Sequence, residues 1–200
     1  MRTAVSRAYA ASQTHGTVMS ETRYASDDGR FQVSVPSEQM VQMLSYCQVA
    51  QGKETGGVLA GYYLPPYDCA VVTEVSGPPA DSRASRTRFQ RGVRGLKQWL
   101  ASLWNHSPRR YYLGEWHFHP YAAPHPSGDD CSQMREIAAS PEYHCPEPLL
   151  MIVGGDPQGE WQLSAHVFVQ SETPQSLVLQ PIKALSVGVI RTGSERKPNV

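Results

Sequence analysis

The order of strands and helices between residues 31 and 169 limits the folds open to this chain more than any other feature. Alternating apolar and polar residues predict a strand at 31–35, and apolar residues at helical spacing predict a helix at 37–52 with Ser37 as its N-cap. The same criteria predict further strands at 55–64, 70–75, 111–119, 149–153 and 161–169, and further helices at 92–104 and 127–139. This β-α-β-β-α-β-α-β-β order predicts an α/β domain with a mixed sheet and flanking helices, not a series of parallel crossovers.

Composition excludes several classes of protein. The chain has 200 residues, 40% of them hydrophobic, with 18 Lys and Arg against 18 Asp and Glu. A neutral chain gives no general attraction for nucleic acid or a membrane surface, so we expect neither as a partner. No apolar run suggests a membrane helix or a secretory signal, and the cysteines form no CxxC pair, so we expect a cytoplasmic protein with reduced thiols.

The two ends of the chain differ from the middle. Residues 1–29 are rich in Ser, Thr and Ala and show no hydrophobic period, which predicts a flexible N-terminal arm. Residues 171–200 contain apolar residues without a clear period, so the structure of this C-terminal extension stays open. The folded domain is therefore expected to span residues 30–170.

Histidines are concentrated in one stretch, because five of the seven lie between residues 106 and 144. In GEWHFHP, His117 and His119 are two apart on a predicted strand, so both imidazoles leave one face about 7 Å apart along the chain. Ser127 and Asp130 then occupy the N-cap and N3 positions of the next helix, near its exposed start. Two imidazoles and one carboxylate make a catalytic zinc site whose fourth position is open.

Each part of this pattern also has a structural explanation. S-x-x-D before a helix is by itself more often a simple cap, and a lone His-x-His on a strand is more often structural. The two together favour metal binding, because the Pro-containing loop PYAAPHP can fold the helix start back over the strand end. A second zinc site built from Cys131, His144 and Cys145 would match no known ligand spacing.

The spacing His117-x-His119-x7-Ser127-x2-Asp130, with a glutamate upstream in KETGGVLAGYY, resembles the JAMM (MPN+) signature of the JAB/Mov34 metallopeptidases. The resemblance extends from about residue 31 to residue 169. It implies a cytidine-deaminase-like β-α core and one zinc ion held by His117, His119 and Asp130. It also implies that Glu54 is the general base toward the attacking water and that Ser127 helps to stabilise the oxyanion.

Glu115 shares a strand face with His117 and His119, because residues two apart on a strand point the same way. It could accept a hydrogen bond from the N–H of a ligand histidine, or it could act as a rival general base. The family motif places its glutamate in an E-x-G-G-x-L-x-G setting like that of Glu54. The resemblance therefore favours Glu54 as the base and leaves Glu115 as a supporting residue.

A loop before the second predicted helix carries a local basic patch, made of Arg83, Arg86, Arg88, Arg91 and Arg94. Such a charge run is usually a solvated face. The position of this loop resembles the insertion through which JAMM deubiquitinases hold the distal ubiquitin-like protein. On that resemblance, Arg83, Arg86 and Arg88 are expected to bind substrate.

The phrases GPPADSR, GEWHFHP and YHCPEPLLMIVGG resemble the bacterial JAB subfamily that accompanies ubiquitin-like conjugation in anti-phage operons of the CBASS and Bil types. The resemblance implies a zinc-dependent, deubiquitinase-like isopeptidase or peptidase. It would cleave a bacterial ubiquitin-like or related modifier from its conjugate or precursor. Two alternatives are a peptidase that works with a sulfur-carrier protein and a catalytically silent MPN scaffold. The intact set of Glu54 and the three ligands argues against the scaffold.

Overall fold

The computed structural model describes residues 21–66 and 68–170, and the backbone of 175–181. The nine predicted elements are present in the predicted order with small shifts at their ends, and the structure has four further strands, two of them in the predicted loop before the second helix. The helices are α1 Ser37–Val49, α2 Leu96–Trp104 and α3 Gly128–Ala139. The strands are β1 Glu21–Ala25, β2 Gln32–Pro36, β3 Thr55–Leu64, β4 Cys69–Val75, β5 Arg83–Ala84, β6 Phe89–Gln90, β7 Tyr111–Pro120, β8 Leu149–Gly155, β9 Trp161–Val169 and β10 Gln175–Pro181.

Eight strands form one mixed sheet in the order β1-β10-β9-β8-β7-β3-β4-β2, and the pairing of β1 with β2 closes it on itself. The β2–β4 and β7–β8 pairs are parallel, and the others are antiparallel. Strands β5 and β6 form a separate two-stranded hairpin. The predicted fold class, a mixed sheet with flanking helices, is confirmed.

The two faces of β7 have different roles. Trp116 and Phe118 are fully buried in the main core together with residues of α1 and β2. Glu115 and His117 lie on the opposite face, where their side chains meet residues of α3. The side-chain alternation of a strand thus gives one face to the core and the other to polar groups.

A bulge at Gly114 changes which residues of β7 face the core. Leu113 and Trp116 both belong to the main core, although strict alternation would place residues three apart on opposite faces. The register between β3 and β7 shifts at this point, which adds one residue to β7. Gly114 has φ +152°, and a Cβ atom there would lie 1.9 Å from the carbonyl oxygen of Leu149, so the bulge requires glycine.

The starts of two helices differ from the prediction. Pro36, and not Ser37, occupies the N-cap position of α1, and Ser37 is the first helical residue. The helix ends at Val49, before Gln51 and Gly52, both of which have positive φ. Helix α2 begins at Leu96 instead of residue 92, because Gly95 adopts a left-handed conformation that a helix does not continue through.

Part of the predicted N-terminal arm is a strand. Residues Glu21–Ala25 pair with β2 along their whole length and with β10 at one end, and Tyr24 is buried. Strand β10 is distant in the sequence, and β2 follows β1 after a turn. A segment of five residues is too short for its hydrophobic pattern to predict such a pairing. Residues 1–20 lie outside the described part of the chain. In the C-terminal extension, 175–181 form β10, and 171–174 and 182–200 lie outside it.

Among the described residues, no helix has the length and apolar character needed to cross a membrane.

Candidate metal and catalytic site

The structure brings together the three predicted ligands. His117 and His119 lie near the end of β7, and Asp130 lies in the first turn of α3. Nδ1 of His117 is 2.6 Å from Oδ1 of Asp130, and Nε2 of His119 is 3.4 Å from Oδ2 of the same carboxylate. One ligand atom from each residue lies within 4.8 Å of the other two.

The start of α3 fixes the carboxylate of Asp130. Ser127 is the N-cap, and its Oγ accepts a hydrogen bond from the backbone N–H of Asp130 at 3.1 Å. In return, Oδ2 of Asp130 accepts bonds from the Ser127 N–H and from the Ser127 hydroxyl, each at 2.7 Å. The S-x-x-D pattern is therefore a capping box as well as part of the candidate site.

The loop between β7 and α3 is held against the sheet. The N–H of Tyr121 donates to the carbonyl oxygen of Gly155 at 3.0 Å, and the Ser164 hydroxyl donates to the carbonyl oxygen of Pro124. A Cβ atom on Gly154 would lie 2.5 Å from the carbonyl oxygen of Ala122, so the loop reaches the sheet only over a glycine. These contacts fix where α3 begins relative to β7.

Glu54 is the residue just before β3, and β3 pairs with β7, the strand that carries both histidines. Thr55 pairs with Phe118 and Gly56 with His117, so the same register continued by one residue places Glu54 opposite His119. Partial burial raises the pKa of Glu54, and the nearby imidazole of His119 opposes that rise. Glu54 is half-buried and lines a cavity of about 440 Å³ together with Phe89, the residue that contacts His117.

The first glycine of the E-T-G-G sequence has a steric reason. A Cβ atom on Gly56 would lie 2.4 Å from the carbonyl oxygen of Trp116 and 2.9 Å from the rings of both His117 and Phe89. Any other residue would therefore push apart the imidazole, the neighbouring strand and the β5–β6 hairpin.

Two carboxylates face one imidazole in this site. Burial alone would lower the pKa of His117, but the carboxylates of Asp130 and Glu115 outweigh it and raise that pKa to about 9. Burial would likewise raise the pKa of Asp130, but His117 and His119 hold it far below its usual range. The arrangement therefore stabilises positive charge between these side chains.

Glu115 is fully buried and bound by several donors. Its Oε1 accepts from Nε of Arg91 at 2.9 Å and from the hydroxyl of Tyr112 at 3.3 Å, and Nη2 of Arg91 lies 2.7 Å away. Its Oε2 accepts from Nε2 of Gln133 at 2.9 Å and lies 3.5 Å from Nε2 of His117. The carboxylate therefore faces the rear of the His117 ring.

The basic patch divides in two. Arg83, Arg86 and Arg88 are exposed on the β5–β6 hairpin, and Arg88 lies 3.6 Å from Asp129. Arg91 was expected on the same solvated face, and that expectation is wrong, because its side chain is 7% exposed and paired with Glu115. The ion pair with Glu115, which is fully buried on β7, replaces the water that would otherwise solvate the guanidinium of Arg91.

The hairpin itself lies against the ligands. The ring of Phe89 meets the ring of His117 edge to face, and the carbonyl oxygen of Ser85 accepts a hydrogen bond from the backbone N–H of Glu54 at 2.8 Å. No sequence pattern indicates that Phe89 and Tyr112 lie next to the site. Gln133 could have been suspected, because it lies three residues after Asp130 and so on the same face of α3.

The residues present fit a zinc ion. The donor set has two imidazoles and one carboxylate, which is the composition of a catalytic zinc site. Nε2 of His117 is buried without a hydrogen-bond partner, although it faces Glu115, which is how the outer nitrogen of a ligand histidine is usually oriented. Cys131, His144 and Cys145 form no such group among the described residues.

Comparisons with known proteins agree with this geometry. Residues 36–166 match the family described as prokaryotic homologs of the JAB domain. A protein named CD-NTase/cGAS isopeptidase, from Enterobacter hormaechei subsp. hoffmannii (strain UCI 50), is 44% identical over 154 residues, which are 77% of this chain and 84% of that protein. Another of the same name, from Escherichia coli (strain TW11681), is 33% identical over 64% of this chain and 80% of its own length.

A more distant relative is named probable metalloprotease y4qB, from Sinorhizobium fredii (strain NBRC 101917 / NGR234). It is 25% identical over 78% of this chain and 93% of its own length. The family match spans most of the chain and contains Glu54, both histidines and Asp130. The chain therefore belongs to the prokaryotic family of JAB-domain proteins, as a hydrolase of the JAMM type.

Proposed function

We propose that this protein is a zinc-dependent isopeptidase that removes a bacterial ubiquitin-like modifier from its conjugate or precursor, in the setting of anti-phage defence. The observation that carries the proposal is the cluster of His117, His119 and Asp130 with the half-buried Glu54 on the neighbouring strand. Two relatives are named CD-NTase/cGAS isopeptidase, and this name supports a conjugated protein as the substrate.

His117, His119 and Asp130 would hold the zinc ion. When bound, zinc supplies a Lewis acid that polarises a carbonyl and lowers the pKa of a coordinated water to about 7. Arg91, Tyr112 and Gln133 fill the space around Glu115, behind His117. A cavity lined by Glu54 and Phe89 lies next to the ligands, because Phe89 contacts His117, and we propose that substrate and water enter there.

Glu54 is proposed as the general base. Its carboxylate accepts a proton from the attacking water and returns it to the amine that leaves. Glu115 does not suit this role, because its side chain is fully buried and both of its oxygens accept hydrogen bonds from Arg91, Tyr112 or Gln133. Glu115 instead serves as the acceptor behind His117.

Ser127 is proposed to stabilise the substrate oxygen that becomes negative. Its hydroxyl donates to Oδ2 of Asp130, and a hydroxyl has one proton to donate. Donation to substrate therefore requires the hydroxyl to turn away from Asp130. The backbone N–H of Ser127 remains on Oδ2, so the carboxylate keeps a donor during that change.

The metal can be tested without a substrate. Purified protein is expected to contain about one zinc ion per chain, and the double variant His117→Ala with His119→Ala is expected to lose it. Elemental analysis measures both. Stoichiometric zinc in the double variant would place the metal at other residues.

Activity is tested with a modifier, encoded near the gene, that is joined through its C-terminal residue to a folded target. Wild-type protein is expected to release the intact modifier, with product masses that locate the cut after that residue. Glu54→Gln is expected to retain zinc and lose about 10²- to 10⁴-fold in rate, because proton transfer is removed. The exposed Glu136→Gln is the matched control. Full activity in Glu54→Gln, or equal cleavage of an unfolded protein such as casein, would contradict the proposal.

A further inference from the structure

The buried carboxylate of Glu115 touches all three elements that build the site. Arg91 follows the β5–β6 hairpin, His117 and Tyr112 belong to β7, and Gln133 lies on α3, one helical turn after Asp130. Each of these elements carries a group of the site: Phe89, His117 and Asp130, respectively. A single side chain therefore joins the hairpin to both ligand-bearing elements.

The two oxygens of Glu115 have separate tasks. Oε1 is taken by Arg91 and Tyr112, whereas Oε2 is left for Gln133 and the outer nitrogen of His117. Nε and Nη2 of Arg91 and the hydroxyl of Tyr112 all lie near Oε1, so several donors hold this oxygen in place and oppose rotation of the carboxylate. The direction in which Oε2 points is thus set from the Arg91 side.

That direction matters for His117. Nδ1 is the ring nitrogen that faces Asp130, so it must carry a lone pair to act as a ligand, and the ring proton then lies on Nε2. Nε2 is buried and faces Oε2 of Glu115. An acceptor at this place favours the ligand tautomer and holds the ring orientation.

We propose that Arg91 is a positioning residue of the metal site: it acts through Glu115 to orient His117, and it fastens the end of the hairpin to the same carboxylate. The proposal rests on the proposed metal site and assigns a role to an arginine that the sequence places in a surface patch. Arg91 also donates from Nη1 to the carbonyl oxygen of Gly92 at 2.9 Å, so its side chain and the loop backbone are held together. Arg91, at the end of the hairpin, and His117 therefore both contact the same carboxylate, that of Glu115.

The test is a double-mutant cycle read by metal affinity, which needs no substrate. Zinc affinity is measured by competition with a chromophoric chelator for the wild type, Arg91→Met, Glu115→Gln and the double variant. Loss of an outer partner of a ligand histidine typically costs 10- to 100-fold in affinity, and we expect that loss for each single variant. Because Arg91 acts through Glu115, Arg91→Met is expected to change affinity less than about twofold when Glu115 is already glutamine.

Further variants separate positioning from folding. Arg94→Met, in the same loop and exposed, is the matched control and is expected to bind zinc like the wild type. Absorption bands of the cobalt-substituted protein are expected to shift in Arg91→Met and to stay unchanged in Arg94→Met. If Arg91→Met does not fold, Arg91→Lys and Gln133→Met replace it, and both are expected to weaken zinc binding while near-UV circular dichroism stays native.

Two results would overturn the inference. One is wild-type zinc affinity in folded Arg91→Met or, where that variant does not fold, in both Arg91→Lys and Gln133→Met. The other is an Arg91→Met substitution that lowers zinc affinity by the same factor whether residue 115 is Glu or Gln. Arg91 would then act independently of Glu115. Absence of zinc binding in the wild type would remove the metal site itself. Failure to cleave a modifier would contradict the proposed substrate, but it would not affect the zinc affinities measured in the double-mutant cycle.

Discussion

The rings of Phe89 and His117 meet edge to face, with centroids 5.6 Å apart and planes at 81°. This contact places the only aromatic residue of the β5–β6 hairpin directly on a proposed ligand. An edge-to-face pair contributes about 0.5–1.5 kcal/mol beyond the area that it buries. This ring and the Ser85–Glu54 backbone bond therefore hold the hairpin over the site, in addition to the Arg91–Glu115 and Arg88–Asp129 ion pairs.

Removal of the ring is expected to impair catalysis without loss of metal. Phe89→Ala should retain zinc and lower kcat/KM about tenfold, because the hairpin loses its aromatic contact with the site. Phe89→Leu should keep more of the rate, since it retains part of the apolar contact. Kinetics on a modifier fusion and elemental analysis measure the two quantities. Val93→Ala, with its side chain 67% exposed, is the control; a wild-type rate in Phe89→Ala would contradict the prediction.

The exposed arginines of the hairpin are expected to affect substrate affinity. Replacement of both Arg86 and Arg88 by Glu should raise KM more than it lowers kcat, because these contacts would be equal in the ground state and the transition state. The ion pair of Arg88 with Asp129 is exposed on both sides, so its loss should change stability little. Arg30→Glu, in the turn before β2, is the control. Unchanged KM in the double variant would mean that the modifier binds elsewhere.

Gly114→Ala is expected to destabilise the fold. The added methyl group would meet the carbonyl oxygen of Leu149 in a backbone conformation that alanine rarely adopts. Strain of this kind typically costs a few kcal/mol, so we expect a fall of about 2 kcal/mol or more in the free energy of unfolding in urea. Gly128→Ala is the matched control, because a Cβ atom there has no neighbour within 4 Å and alanine favours the helix. Equal midpoints for the two variants would contradict the bulge argument.

His166 is expected to make stability depend on pH. Burial lowers the pKa of His166 to about 4, with a smaller effect of His125 in the same direction. As the pH falls below about 6.5, the unfolded chain takes up the proton first, so stability is full above that value and is lost between about 6.5 and 4. The slope for one group is at most about 1.4 kcal/mol per pH unit.

His166→Gln should flatten this part of the profile, because it removes the titrating ring and keeps an N–H donor for Ser164. Urea unfolding of the wild type and the variant at several pH values gives the difference, in which other titrating groups cancel. His106→Gln, at an exposed position, is the control. Parallel profiles for wild type and His166→Gln would contradict the prediction.

Local patterns predicted much of this molecule. The bounds of β3 and β9 agree with the predicted ranges, and the capping box of Ser127 and Asp130 is present, because each depends on neighbouring residues alone. Strand alternation also put Glu115 on the face of His117. Long-range partners could not be predicted in this way, as β1 and the burial of Arg91 show. An arginine in a charged run has the same local pattern whether it meets water or a buried carboxylate on a distant strand.

Closure of the sheet decides where another extended chain can align. Each of the eight strands in the main sheet has a neighbour on both sides, whereas β5 and β6 have a neighbour on one side only. Among the described strands, β5 and β6 therefore each keep one edge that is not paired with another strand. An extended chain that lies along β5 or β6 would become a third strand of this small sheet, and its backbone would then lie beside Phe89.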